Sequence, residues 1–134
     1  KDPISVVQFN NIVSGIANGK KEITINGGLS EQDYQSLQRS GMLLQGSVVG
    51  REAGINTLVK LYETKTKSKY EPIDNINTTP YKDIINANKA YQTNLIKAGE
   101  IGFYGEATSV NPKNVMTIEE MFYIIDIILS DSGY

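Results

Sequence analysis

The chain has 134 residues, 40% hydrophobic and 21% charged, with a formal net charge of -2; this is the composition of one globular domain large enough to bury a core. It contains no histidine, cysteine or tryptophan, which removes imidazole catalysis near neutral pH, thiolate nucleophiles, disulfides and thiolate metal sites. The mild acidity offers phosphates no basic surface, and no apolar run is long enough for a bilayer, so neither nucleic acid nor an integral membrane segment is expected.

In chain order, Asp2 followed by Pro3 predicts a helix start, and Ile4, Val6, Val7, Phe9, Ile12, Val13 and Ile16 form a broad apolar stripe that stops at Asn18-Gly19. Residues 21–26 alternate, with Ile23 and Ile25 on one side and Glu22 and Thr24 on the other, which predicts a short strand ending at Gly27-Gly28. Ser30 caps a second helix that carries Glu31 and Asp33 in its first turn and stops at Gly41. Residues 42–70 fit two patterns. Leu44, Val48, Ile55, Val59 and Tyr62 fall at helical spacing, whereas Glu63, Lys65, Lys67 and Lys69 alternate with Thr64, Thr66, Ser68 and Tyr70 in a strand-like way. The favoured reading is a helix to about Leu61 followed by extended chain.

Residues 71–79 form a connector rich in turn formers, with Pro72, Asp74, Asn75, Asn77 and Thr78. Thr79-Pro80 repeats the cap-plus-proline start, and Tyr81, Ile84, Asn88, Tyr91 and Leu95 predict a helix to Ala98 with Gly99 as its stop. Residues 101–108 read as a short strand or a glycine-rich loop, and Asn111-Pro112 marks a turn. Thr117 with Glu120 three residues later is a capping box, opening a last helix whose apolar face is widened by Ile124 and Ile127. No internal repeat is evident. The fold class that follows is a single α+β domain over residues 1–134: predominantly helical, about four helices, with a small antiparallel sheet built from residues 21–26 and part of 61–70.

Four constellations could carry chemistry. Glu100, Glu106, Glu119, Glu120 and Asp126 could supply the acid and base of a glycoside hydrolase, but Glu119 and Glu120 also suit a helix N-terminus. The loop from Gly99 to Glu106 holds Phe103 and Tyr104 among glycines, without the Lys-Ser/Thr of a phosphate loop. Lys60, Lys65, Lys67 and Lys69 interleave with Tyr62 and Tyr70, a pattern that single-stranded nucleic acid uses and that edge strands also use to block pairing. Gly46, Gly50 and Gly54 recur every fourth residue; if that segment is helical, the stripe offers a homodimer contact.

No metal or cofactor is expected, because Asp74, Asn75, Asn77 and Thr78 lack the EF-hand spacing and its closing Glu. The function expected is a non-enzymatic protein-interaction module of a bacterial secreted or envelope-associated protein. Its contacts are placed on exposed Phe103, Tyr104, Tyr81, Asn75 and Asn77. The alternatives are a carboxylate-dependent glycan-active enzyme and a small acidic inhibitor or accessory protein of a mobile element or toxin system. The chain opens at Lys1 without an initiator Met or a signal-peptide pattern, which predicts a processed or trimmed product. Lysine far outnumbers arginine, which stands only at Arg39 and Arg51, a bias that suits a bacterial chain. Localisation is expected to be extracellular or in the envelope, with the cytoplasm as the alternative.

Overall fold

A computed structural model describes residues 2–20 and 28–133. They form five α-helices: α1 (Val6–Ala17), α2 (Glu31–Ser40), α3 (Arg51–Thr66), α4 (Lys89–Ile101) and α5 (Ile118–Asp131), with a 3-10 turn at Lys82–Asn86 before α4. α3 is the central helix and packs against α1, α4 and α5. It buries Ile55, Leu58, Val59 and Leu61, and with them Asn56 and Thr57. Around it, Phe9, Ile12 and Ile16 of α1, Leu95 and Ala98 of α4, and Met121, Ile124 and Ile128 of α5 complete one core.

The expected α+β class is corrected to helical. Among the described residues there is no sheet, only three isolated antiparallel bridges: Pro3 with Thr117, Ser5 with Val48, and Gly50 with Val115. The strand expected at 21–26 lies outside the described residues. The one expected within 61–70 is the last turn and a half of α3 and its exit. The Thr hydroxyls that suggested a strand bond inward along the helix instead, Thr64 Oγ1 to Lys60 C=O at 2.9 Å and Thr66 Oγ1 to Tyr62 C=O at 2.8 Å. Residues 42–49, expected to be helical, are irregular. Gly46 sits at φ 103° and Gly50 is the N-cap of α3, so only Gly54 of the glycine stripe is helical. The condition for the dimer contact is therefore not met. A Cβ on Gly54 would lie 2.7 Å from Val49 Cγ1, so this glycine serves close packing inside the domain.

Helix ends follow local chemistry with three shifts. α1 begins not at Asp2 but at Ser5, whose hydroxyl accepts from Gln8 N–H while Gln8 Oε1 accepts from Ser5 N–H, both at 3.1 Å. The helix expected from Thr79 to Ala98 is interrupted: Ala87 is extended, and Asn88 caps a new start, accepting Ala90 N–H at 2.9 Å. Gly99 lies inside α4 rather than ending it. A Cβ there would meet Tyr81 Cε2 at 2.6 Å, so the glycine admits the Tyr81 ring, and the stop is Gly102 at φ 111°. Ser30, Gly41 and the Thr117–Glu120 capping box stand where the pattern placed them.

The three bridges belong to a closed arrangement that positions everything else. The residues just before the N-caps of α1, α3 and α5 form a ring of backbone bonds: Ile4 N–H donates to Met116 C=O (3.0 Å), Met116 N–H to Val49 C=O (2.7 Å), and Val49 N–H to Ile4 C=O (3.3 Å). A second tier runs around the hub in the opposite sense, with the first helical N–H of each helix donating to the following segment. Val6 reaches Ser47 C=O (2.9 Å), Arg51 reaches Asn114 C=O (2.8 Å) and Ile118 reaches Asp2 C=O (2.9 Å). Three helix N-termini, whose first donors have no partner within their own helix, thus satisfy one another around a pseudo-threefold hub. The hub closes over Ile4, Val49 and Met116, each 1% exposed or less. The recurrence that the sequence hides is one of geometry: two residues, a cap, and a helix.

Candidate functional site

The pseudo-threefold hub generates three equivalent junctions, each pairing the first residue of one helix with the third residue of the next. Two of these position pairs carry Val6 with Ala53 and Ile118 with Gln8; the third carries Arg51 with Glu120. Only this junction holds a charged pair, and Arg51 and Glu120 form an ion pair there. Beside it opens a cleft of about 290 Å³, between the start of α3, the start of α5 and the loop that leaves α4.

Arg51 is fixed at the cleft wall. Its Nε–H donates to Val110 C=O at 2.7 Å, and its side chain is 15% exposed. Burial draws the guanidinium below its ordinary pKa, opposed by the negative ends of Tyr104 and Asp83. Glu120 is committed twice, since its Oε1 also accepts Thr117 N–H at 2.9 Å as the return half of the capping box. Glu119 and Tyr123 form the outer rim, Tyr123 half exposed at 50%. Gly105, at φ 60°, lies under the Tyr123 hydroxyl; a Cβ there would stand 3.1 Å from that oxygen.

Phe103 and Tyr104 also line the cleft, but their expected exposure is not met: both are buried, at 3% and 7%. Phe103 packs edge-on against Tyr62 with ring centroids 6.1 Å apart. Tyr104 donates its hydroxyl to Leu95 C=O at 2.6 Å, and burial raises its pKa, which keeps the phenol protonated as that bond requires. Tyr81 stands behind it, half-buried, its ring edge-on to Tyr104 at 4.8 Å. Asn75 and Asn77 are exposed on the connector and do not join this group. Asn75 N–H donates to Thr78 Oγ1 (2.9 Å) and Asn77 N–H to Asn75 Oδ1 (2.8 Å), a self-contained turn.

The carboxylates do not assemble as an acid-base set. Glu119 and Glu120 are neighbours on one helix, Glu106 and Asp126 are exposed, and Glu100 binds the connector at the far end of α4. Among the described residues no group of three or more acidic side chains could hold a metal ion, and no helix is long and apolar enough to cross a membrane.

Sequence reasoning missed Arg51 and Tyr123. The usable signal was slight: one of two arginines, directly after Gly50, on a segment whose helix began later than its apolar spacing suggested. Comparison of the chain with protein-family models, with curated proteins and with solved structures finds no match.

Proposed function

We propose that this domain is a non-enzymatic interaction module of a bacterial secreted or envelope-associated protein, and that it engages a partner protein at the α3–α5 cleft. The observation that carries the reading is the Arg51–Glu120 pair, set at one hub junction of three beside exposed Tyr123. Arginine and aromatic side chains held rigid next to a partly desolvated pocket are the residue types that dominate binding energy in protein interfaces. Phe103 and Tyr104 contribute as the rigid floor, backed by Tyr81, while Asn75 and Asn77 form a separate surface.

The glycan-hydrolase alternative asks for two carboxyl groups facing each other across the sugar, roughly 5–9.5 Å apart. Glu119 and Glu120 instead stand side by side, one of them already spent on Thr117 N–H and Arg51. The composition, rich in lysine and free of cysteine, is compatible with the secreted or envelope setting.

The test is a photo-crosslinking amino acid placed at Tyr123 and, separately, at Asp126 and Asn77, with the protein exposed to a bacterial envelope fraction. A discrete protein adduct from position 123, weakened by Arg51→Ala and missing from position 77, supports the reading. Adducts that ignore Arg51, or turnover of a glycan that Glu119→Gln abolishes, would remove it.

A further inference from the structure

We propose that Asp83 is a positioning residue for Arg51, acting through a single peptide unit, so that the 3-10 turn before α4 sets the geometry of the cleft. Asp83 touches neither Arg51 nor Glu120 in any hydrogen bond of the structure. Its carboxylate accepts Val110 N–H at 3.0 and 3.2 Å and Asn111 N–H at 2.8 Å. The second of these bonds is the informative one. The Asn111 N–H and the Val110 C=O belong to the same peptide group, which is planar and trans, so the two point in opposite directions. With the N–H held on Asp83, the carbonyl is aimed the other way, and there Arg51 Nε–H meets it at 2.7 Å.

The peptide is thus a rigid spacer, with a carboxylate on one end and a guanidinium on the other. Charge-assisted bonds at both ends are the strong kind, and their polarisation along the peptide is cooperative. Asn111 takes a left-handed backbone, φ 52°, a conformation that non-glycine residues adopt at some cost and that marks a locally imposed geometry. Tyr81, two residues before Asp83, gives the same turn a second hold on the cleft through the edge of the Tyr104 ring.

This inference rests on the cleft reading for its purpose but not for its geometry, and the experiment needs no partner. The Arg51 Nε–H resonance and its exchange with solvent are measured by NMR in the wild type, Asp83→Ala, Asp83→Asn, and Ser30→Ala, a capping variant on α2. The expected result is exchange at Arg51 Nε–H accelerated about tenfold or more in Asp83→Ala. Asp83→Asn, which keeps one oxygen acceptor, lies between, and Ser30→Ala leaves the resonance in place despite its loss of stability. An unchanged Arg51 Nε–H in both Asp83 variants, or equal acceleration in Ser30→Ala, overturns the inference. If Asp83→Ala does not fold, Asp83→Asn alone decides. Failure of the crosslinking with success here removes the binding reading and leaves the positioning role standing.

Discussion

The end of the molecule where α1, α3 and α5 begin and the end where α3 and α4 finish are held by different forces. At the hub, six backbone hydrogen bonds join three segments over the buried side chains of Ile4, Val49 and Met116. At the other end, carboxylates do the joining. Glu63 accepts from buried Lys97 Nζ at 3.0 Å and from Tyr70 N–H at 2.8 Å. Glu100 accepts Ile73 N–H at 2.8 Å, Asp74 N–H at 2.7 Å and the Tyr70 hydroxyl at 3.1 Å. The hub therefore depends on burial and carries no titrating group in its ring, whereas the connector end depends on charge. The difference separates a scaffold from a strap: one fails through cavities, the other through protonation or loss of a counter-ion.

The largest effect should come from the hub. Met116→Ala removes a fully buried side chain from the ring and is expected to cost about 2–5 kcal/mol, read from the urea midpoint at unchanged slope. A cost under 1 kcal/mol would mean that the ring is held by its backbone alone. Next, Lys97→Ala leaves the Glu63 carboxylate without its cation in a half-buried site, for a loss of about 2–3 kcal/mol. The double variant Lys97→Met with Glu63→Gln should recover most of it, since the penalty lies in the unpaired charge; failure to recover would relocate the effect to packing.

Acid should then tell the two ends apart. Burial pushes the Glu100 carboxyl upward, but the bonds from Ile73 and Asp74 N–H and from Tyr70 together outweigh it and hold the group below its ordinary value. A depressed carboxylate stabilises the folded state above its unfolded pKa and loses that contribution as pH falls through the folded one. Protection of the Ile73 and Asp74 amides, measured as exchange relative to the intrinsic rate at each pH, should therefore fall on acidification before that of Ile4, Val49 and Met116 does. Glu100→Gln should remove this pH dependence at a cost of about 1 kcal/mol. Simultaneous opening of both sets of amides would erase the contrast.

The smallest change is Tyr62→Phe, which deletes the 2.9 Å bond to Asp131 near the C-terminal end of α5. The expected cost is about 0.5–1 kcal/mol. The Tyr62 phenol, pushed up to about 12 by burial and then by Asp131, should disappear from the alkaline ultraviolet titration in that variant.

What could be read from the residues was the local chemistry of helix ends. Ser30, Gly41, Thr117 and Glu120 act within four residues of themselves, so their roles survive any tertiary arrangement. In the stretch from 42 to 70 the apolar spacing runs across a boundary that only Gly50 marks, so the pattern does not show where α3 begins. Its threonines suit a strand by composition, yet on a helix surface they bond to carbonyls one turn back. A glycine after a helical pattern usually marks a stop, but Gly99 makes room for Tyr81, a partner from the preceding turn. Phe103 and Tyr104, expected to be exposed, line the cleft as buried residues, because a glycine-rich stretch does not show which way its aromatics turn. Arg51 was invisible because its meaning depends on Glu120, Val110 and a junction that exists only when three distant segments meet.

That meeting also governs how the chain acquires its structure. Ile4 and Met116 are 112 residues apart in the sequence, and the ring cannot close until both have been brought to Val49 between them. Contacts so distant along the backbone carry a loop-closure entropy that local helices do not, which places ring closure late on the folding route and slows it relative to a simple helical bundle.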